Sequence, residues 1–267
     1  MTEPARILTP PPINLTYVFG PPRSGTTLLA SALSHGPAHP YLPECTIITD
    51  LIRERIRLES DIEPNKFRAF LHDFDHADHI FSSSIEFILR GIVDHSAETY
   101  QHLVLKDPHL IFFVDDVDRL IKWSNKKICI IRDPRDAVSS YMEVMRRDGL
   151  IPDLQKSIIF LKPFFEAALA LYLSPIRPVI VRYEDLVSFD AFVISELQNF
   201  FGYDLDLGSY TGVPKEALHL DSPWYTSTYE GPVITTRVGS HHSLLTADQI
   251  RCVEDNFADF LLTFYAN

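Results

Sequence analysis

The chain has 267 residues, of which 46% are hydrophobic, and a formal net charge of −12 at pH 7. This length and apolar content suit a single α/β domain over residues 1–267, and the acidic balance without a long basic run argues against nucleic-acid binding. There is no apolar leader and no apolar run of membrane length, and the three cysteines are widely separated. We therefore expect a soluble, cytoplasmic protein without a disulfide framework.

The first predicted element is a buried strand that runs into a glycine-rich turn, in residues 15–29, LTYVFGPPRSGTTLL. Gly20 and two prolines end the strand, and Gly25 lets the backbone turn so that successive N–H groups face one anion. A helix over Thr26–Leu33 would aim its positive end at the same point. The nucleotide-hydrolase pattern GxxxxGK[ST] fits except that Thr26 stands where its lysine belongs, which points away from ATP hydrolysis.

The stretch PPRSGTTLL resembles the 5′-phosphosulfate loop of the sulfotransferases that use 3′-phosphoadenosine 5′-phosphosulfate (PAPS) as donor. Many of those enzymes carry lysine where Arg23 stands, and arginine there is similar to the tyrosylprotein branch and to many bacterial members. The resemblance implies a sulfuryl transfer that requires no metal. It also implies that the 5′ end of the donor is held by this loop through Arg23, Ser24, Gly25, Thr26 and Thr27.

A second informative position is Glu44, at the entrance of a predicted helix. Prolines bracket the loop before it, and from Cys45 onward apolar residues recur at helical spacing. Glu44 follows Arg23 by 21 residues. This resembles the spacing between the loop cation and the catalytic glutamate of the tyrosylprotein sulfotransferases, which implies that Glu44 is a general base. The alternative is a carboxylate that only complements the helix dipole.

Helical spacing recurs near 67–72 and 85–93, on either side of a His- and Asp-rich stretch, 72–79. His72 and His76 are one helical turn apart, which raises the question of a metal site. A solvated acidic face is the preferred interpretation. In a third interpretation the aspartates of this stretch line an acceptor pocket, where they would favour a neutral or cationic acceptor.

Residues 102–109, HLVLKDPH, predict a short strand that ends in a charged turn, the place where open parallel sheets put their active groups. In cytosolic sulfotransferases a lysine and a nearby histidine end the corresponding strand, so the resemblance implies a role for Lys106. His109 stands one position beyond the histidine of that pattern. The base that takes the proton of the acceptor is Glu44 or His109, and we favour Glu44 for its spacing from the loop arginine.

Residues 127–131 predict another buried strand, followed by a helix that an Asp-Pro pair opens. Arg132 and Ser140 lie 8 residues apart in RDPRDAVSS, which resembles the 3′-phosphate motif of the family. There the arginine and the serine grip the phosphate, and a guanidinium with a hydroxyl suits a dianion. The structural alternative is that Arg132 pairs with Asp133 or Asp136.

Two further helices, 154–173 and 189–201, flank a predicted strand at 178–183. The tyrosine of a YED stretch commonly lies near the adenine in this family, so the resemblance implies that role for Tyr183. The arginine and the glutamate on either side of Tyr183 are expected to pair with each other.

The stretch 203–243 is rich in Gly, Pro, Ser, Thr and Tyr, which predicts a long functional loop. Within it, TTRVGSHHSLLTADQI resembles the C-terminal donor loop of the family, where an arginine and a glycine backbone close over the 3′-phosphate. Arg237 and Gly239 match that pattern, and the two histidines that follow have no assigned role. A final helix at 246–265 is expected to pack on the core.

The expected fold is a doubly wound α/β domain with a mainly parallel sheet flanked by helices, as in the P-loop sulfotransferases. The resemblance implies transfer of a sulfuryl group from PAPS to a hydroxyl, or failing that an amine, of a small-molecule acceptor, with a secondary metabolite as one candidate. Two alternatives stay open: a catalytically inactive nucleotide-binding module, and a P-loop kinase or NTPase that depends on Mg²⁺. The sequence predicts no oligomeric state.

Overall fold

The computed structural model describes residues 13–34, 39–61, 71–94, 100–175, 177–202, 205, 207, 212–213, 222–225, 231–233 and 235–266. Most of the helix expected near 67–72, and much of the loop expected at 203–243, lies outside these residues.

The core of the molecule is a four-stranded sheet in the order β2-β1-β3-β4. All three strand pairs are parallel. The strands are β1 Asn14–Phe19, β2 His102–Lys106, β3 Asn125–Ile131 and β4 Val179–Arg182. Each predicted strand is present, and the last is shorter than expected because Tyr183 already begins a helix.

Helices connect the strands and cover the sheet. A short 3₁₀ helix, Pro108–Phe112, follows β2 directly. The α-helices are α1 Thr26–Leu33, α2 Thr46–Asp61, α3 Phe74–Asp94, α4 Val114–Leu120, α5 Pro134–Arg147, α6 Leu154–Leu173, α7 Tyr183–Val187, α8 Ala191–Phe201, α9 His241–Leu244, α10 Ala247–Asn256 and α11 Ala258–Phe264. Among these helices in the described part of the chain, none combines the length and apolar character that a membrane span needs.

The two faces of the sheet build two separate cores, because successive strand residues point to opposite sides. In β1, Tyr17 and Phe19 belong to the larger core and Val18 to the smaller one. Helices α2, α3, α4, α5, α6, α10 and α11 contribute to the larger core, and α1, α7 and α8 to the smaller one. Burial on both faces explains the nearly continuous apolar strands. The doubly wound α/β fold is therefore confirmed.

Strand order determines where a site can form. From β1 the chain moves to β2 on one side, and it then returns past β1 to β3 on the other. The turns after β1 and β3 therefore lead away in opposite directions and leave a crevice at the carboxyl ends of these strands. Ligands of open α/β sheets bind at such a switch point.

The last predicted helix is broken into two. The expected single helix over 246–265 ends at Asn256, and α11 begins again at Ala258. Between them Phe257 leaves helical geometry, with φ −121° and ψ 24°. Its buried ring packs edge-to-face on Phe165 of α6 at 5.0 Å, and Phe260 packs on the same ring at 4.8 Å. This aromatic packing accounts for the break, which the local periodicity did not predict.

Candidate active site

The turn after β1 is shaped by two glycines with no room for a side chain. Gly20 has φ 149°, and a Cβ there would lie 2.0 Å from the carbonyl oxygen of Ile130 in β3. Gly25 has φ 94° and precedes α1, and a Cβ there would lie 2.7 Å from the ring of Tyr183. The turn is therefore packed against β3 and α7, with the positive end of α1 beside it.

The residues between these glycines form a polar loop. Arg23 has φ 70°, in the left-handed region that costs a side-chain-bearing residue roughly 1–2 kcal/mol. Its guanidinium donates to the Ser140 hydroxyl and to the Trp224 carbonyl oxygen, both at 3.1 Å. Ser24 is fully buried, and its hydroxyl has no hydrogen-bond partner among the described residues. A buried hydroxyl without a partner is costly unless a ligand satisfies it.

Lys106, at the end of β2, joins this loop to Glu44. Glu44 pairs with Lys106 as a one-residue parallel bridge, and the Cys45 N–H donates to the Lys106 carbonyl oxygen at 3.0 Å. The buried Lys106 ammonium lies 2.6 Å from Glu44 Oε1 and 3.3 Å from Thr27 Oγ1. One cation thus connects the proposed base with a hydroxyl of the loop, while the Glu44 carboxylate stays half exposed.

His109 enters the same region through the 3₁₀ helix. Asp107 caps that helix by accepting from the His109 N–H at 2.9 Å and from its ring Nδ1 at 3.2 Å. Burial raises the pKa of Asp107, but the hydrogen bonds from His109 outweigh this effect and hold it below its ordinary value. When Nδ1 donates to Asp107, Nε2 is the basic nitrogen of the ring.

Arg132 is the first residue after β3, at the carboxyl edge of the sheet. Its buried guanidinium covers the ring of Tyr183 at 4.6 Å and donates to the carbonyl oxygens of Arg23, at 3.2 Å, and Arg237. Its Nε is buried without a hydrogen-bond partner among the described residues. The pairing with Asp136 is present but long, at 3.7 Å. The guanidinium therefore keeps a donor for a ligand.

Asp136 holds residues 237–241, part of the stretch that resembles the C-terminal donor loop of the family, on α5. Its carboxylate accepts from the N–H groups of Gly239 and His241, at 2.8 and 2.9 Å, and from His241 Nδ1 at 2.7 Å. The Gly239 N–H, expected at the 3′-phosphate, is thus directed to a carboxylate in this structure. The sequence indicated Asp136 only as a possible partner of Arg132. Its position one helical turn after Arg132, in a motif that resembles a phosphate site, is the one signal that points to a role in the site.

The turn that carries Arg132 is supported from behind by Glu184. Its carboxylate accepts from the Asp133 N–H at 3.0 Å and from the Tyr265 hydroxyl at 2.9 Å. Burial raises the pKa of Glu184 despite these hydrogen bonds. The expected Arg182–Glu184 pair is wrong, because Glu184 is engaged here. Arg182 instead lies 3.6 Å from Asp185 and covers the ring of Tyr265 at 4.5 Å.

A cavity of about 570 Å³ opens beside the loop. Six of the sequence-predicted site residues line it besides Gly25: Arg23, Thr26, Thr27, Glu44, Lys106 and His109. Four others, Arg132, Ser140, Tyr183 and Arg237, form an adjoining group that Arg23 links to the loop through its contact with Ser140. Ser24 lies within the loop itself, and Gly239 is held by Asp136. The two sets of predicted residues are therefore contiguous in space.

One side of the cavity is aromatic. Phe160 and Trp224 line it, and their ring centroids lie 6.3 Å apart. Tyr141 stacks on Phe160 at 4.6 Å and contacts Trp224 at 5.6 Å. Phe164 continues the row from Phe160 to His109, at 5.7 and 5.3 Å. This aromatic surface was not predictable from a sequence motif, because its residues come from three separate segments of the chain.

The His- and Asp-rich stretch 72–79 has a structural role. Asp78 pairs with the buried Arg55 at 2.6 Å, and Asp73 accepts from the His76 N–H at 2.8 Å at the start of α3. None of its residues lines this cavity, which gives the acceptor-pocket interpretation no support. In the part of the chain that the structure describes, no three His, Cys, Asp or Glu side chains are grouped to hold a metal ion.

Comparison with known proteins identifies the family. The profile of the sulfotransferase family matches residues 16–206, which is most of the chain. No curated protein matches significantly. The structure is similar to the sulfotransferase domain of the Synechococcus PCC 7002 olefin synthase, with a TM-score of 0.57 and 18% identity over 94% of this chain and 98% of that one. It is also similar to a sulfotransferase domain from the curacin biosynthetic pathway, with a TM-score of 0.57 and 16% identity over 92% and 98% of the two chains. These structural similarities concern the fold, and the family match shows that the chain belongs to the sulfotransferase family.

Proposed function

We propose that the protein transfers a sulfuryl group from PAPS to a hydroxyl of a small-molecule acceptor. The observation that carries this proposal is a pair of buried donors, Ser24 Oγ and Arg132 Nε, at the turns after β1 and β3, for which the described part of the chain offers no hydrogen-bond partner. Both belong to motifs that resemble the donor site of the family. Anionic oxygens from one ligand would satisfy both donors, so the residues present fit a nucleotide with phosphates at its two ends.

The donor is held in this proposal by two groups of residues. Arg23, Ser24, Gly25, Thr26 and Thr27 bind the 5′ end, where the N-terminus of α1 adds its positive dipole. The 3′ end is bound by Arg132, Ser140 and Arg237, and the adenine lies near Tyr183. The 3.1 Å contact between Arg23 and Ser140 supports this division, since it joins the two groups directly.

PAPS supplies an activated sulfuryl group whose bond to the 5′-phosphate breaks as the acceptor oxygen attacks sulfur. Charge then develops on the departing phosphate, and the side chains that can stabilise it are Arg23, Lys106 and Thr27. Lys106 is suited to this task because it lies 3.3 Å from the Thr27 hydroxyl. No residue in this scheme requires a metal.

The acceptor must lose a proton as it attacks, and Glu44 is the proposed base. Its carboxylate lines the cavity, and the Lys106 ammonium fixes its position at 2.6 Å. The other candidate is His109, whose ring Asp107 orients through Nδ1. Both side chains line the cavity, so the rates of the Glu44→Gln and His109→Ala variants distinguish the two candidate bases.

We propose a small, neutral acceptor with an apolar body. The cavity of about 570 Å³ is in the size range of small-molecule sites. Phe160 and Trp224 offer apolar surface, whereas the charged lining residues all belong to the donor loop or to the proposed catalytic groups. An acceptor with its own charge would find no further opposite charge among the described lining residues.

We also propose that residues 1–267 form one domain that works in the cytoplasm without nucleic acid. The cores on both faces draw on elements from β1 to α11, which supports a single unit. Cys45, Cys129 and Cys252 are free thiols, which suits a reducing compartment. The net charge of −12 disfavours a polyanion partner.

Two measurements test the proposal. Calorimetric titration with 3′-phosphoadenosine 5′-phosphate (PAP) should show binding, and titration with ATP and Mg²⁺ should show little. Mass spectrometry of a metabolite extract incubated with PAPS should reveal a compound that has gained one sulfuryl group. PAP binding without any sulfated product would instead identify an inactive nucleotide-binding module, and preferential ATP binding would identify a P-loop nucleotide hydrolase or kinase.

A further inference from the structure

A buried acid lies inside a site that is otherwise suited to anions. Asp136 is 1% exposed and accepts four hydrogen bonds from three successive residues. The donors are the Gly239 N–H at 2.8 Å, the Ser240 hydroxyl at 3.3 Å, and the His241 N–H and Nδ1 at 2.9 and 2.7 Å. A carboxylate beside bound phosphate is repulsive, so its presence here needs a compensating purpose.

The hydrogen bonds of Asp136 determine the path of the segment 237–241. They hold it against the first turns of α5, and the carbonyl oxygen of Arg237 then meets the guanidinium of Arg132. The Arg132 guanidinium also lies 3.7 Å from Asp136 Oδ2. Asp136 therefore touches both elements that supply the arginines proposed for the 3′-phosphate. The side chain of Arg237 is separately oriented by Glu143 at 3.3 Å.

The charge of Asp136 is largely neutralised within the protein. Burial raises the pKa of Asp136, but the hydrogen bonds from His241, the charge of Arg132 and the backbone N–H groups outweigh this and hold it below its ordinary value. The carboxylate thus stays ionised, with both oxygens engaged by donors of the protein. Its repulsion of a ligand is correspondingly reduced, and Arg132 Nε, which has no hydrogen-bond partner among the described residues, can donate to a phosphate.

We propose that Asp136 is a positioning residue for the 3′-phosphate of the donor. It holds the segment 237–241 and the guanidinium of Arg132 in the arrangement that distinguishes a 3′-phosphorylated nucleotide from one without that group. This inference rests on the proposed function. It differs from a purely structural role, because a structural anchor would affect all nucleotides alike.

The test compares two ligands on one variant. Asp136→Asn keeps the size of the side chain, but its NH₂ group cannot accept from the Gly239 N–H and its neutral amide no longer faces Arg132 as a counter-charge. Calorimetry should show that PAP binds about ten- to a hundredfold more weakly, the range expected for losing a charged hydrogen bond. Adenosine 5′-monophosphate, which lacks the 3′-phosphate, should bind as it does to the wild type, and the KM of the acceptor should not change.

Asp190→Asn is the matched control. Asp190 also accepts two backbone N–H groups, those of Phe192 and Val193 at 3.0 Å, but it caps α8 away from the site. This variant should leave the ratio of the two affinities unchanged. If Asp136→Asn does not fold, His241→Phe tests the same contact, because it keeps a ring and removes the Nδ1 donor. It should shift the ratio in the same direction by a smaller factor.

The affinities of the wild type and of the variants test the proposed function and the role of Asp136 separately. A wild-type protein that binds PAP no better than adenosine 5′-monophosphate would overturn the proposed function itself. If the wild type prefers PAP and the variants keep that preference, or weaken both ligands equally, the positioning role of Asp136 is refuted and the proposed function stands.

Discussion

The substitution Glu44→Gln is the sharpest test of the chemistry. Glutamine keeps the shape of the side chain and a carbonyl oxygen that can accept from Lys106, but it removes the basicity. Loss of a general base lowers turnover by roughly 10²–10⁴, which corresponds to about 3–5 kcal/mol in the activation barrier. We expect kcat to fall by that factor while PAP affinity stays close to that of the wild type.

The structure predicts a much smaller effect on stability. The Glu44 carboxylate is 49% exposed, and its glutamine replacement keeps an acceptor for the buried Lys106 ammonium, so we expect a loss of about 1 kcal/mol. The melting temperature of Glu44→Gln should therefore change by no more than about 2–4 °C. Glu54→Gln is the matched control, since Glu54 is a 46% exposed glutamate that pairs with Arg57 within α2 and does not line the cavity. It should retain full turnover.

The assay is single-turnover sulfation of one acceptor at saturating PAPS, with PAP affinity measured in parallel by calorimetry. His109→Ala, in the same assay, should reduce the rate less than Glu44→Gln does. Glu44 is the wrong residue if its glutamine variant stays within about threefold of the wild type while His109→Ala abolishes turnover. Loss of PAP binding in Glu44→Gln would also contradict the assignment, because it would move Glu44 to the donor site.

Three further predictions concern the donor site and the fold. Arg132→Ala should weaken PAP binding by roughly 2–5 kcal/mol in calorimetry, and unchanged affinity would remove Arg132 from the site. Burial, together with the charges of a neighbouring histidine and lysine, lowers the pKa of His102 from 6.5 to about 4. Between these two pH values the unfolded chain binds a proton at His102 and the folded protein does not, so the free energy of unfolding falls as pH falls. Unfolding in urea should therefore cost about 2 kcal/mol less at pH 5 than at pH 8 from this residue, and His102→Gln should lose that contribution. Gly20→Ala should destabilise the protein by roughly 2–4 kcal/mol, because its Cβ would lie 2.0 Å from the Ile130 carbonyl oxygen. Gly91→Ala, in a helix with nothing within 4 Å of the added Cβ, should be neutral or stabilising, and equal melting temperatures for the two variants would refute this argument.

The elements that the sequence predicted well are those whose determinants are local. The strand His102–Lys106 and the helices Thr26–Leu33 and Leu154–Leu173 have their predicted bounds. Each is bounded by nearby breakers or caps and has a clear apolar pattern. The break at Phe257 could not be predicted in this way, because it depends on packing against Phe165 from another part of the chain.

The same distinction applies to the site. Glu44, Lys106 and His109, which the family resemblance singled out, all line one cavity. The anchoring role of Asp136 was not visible, because its hydrogen bond to Gly239 spans 103 positions of the chain. A carboxylate within a phosphate motif is ambiguous in one dimension, since it can face solvent, an arginine or a distant backbone. Only the fold decides among these partners.

The hydrogen bond between Tyr265 and Glu184 has a consequence for biosynthesis. During translation β1 and the turn after it are made early, whereas Tyr265 is made after all four strands. Tyr265 donates to Glu184, which in turn accepts from the Asp133 N–H in the turn of Arg132. Contacts so distant in sequence form late, because the intervening chain must first be closed into a loop. A nascent chain that stalls before residue 258 would therefore lack the Tyr265 contact that supports the turn of Arg132, and the nucleotide binding that we propose would follow the docking of α11.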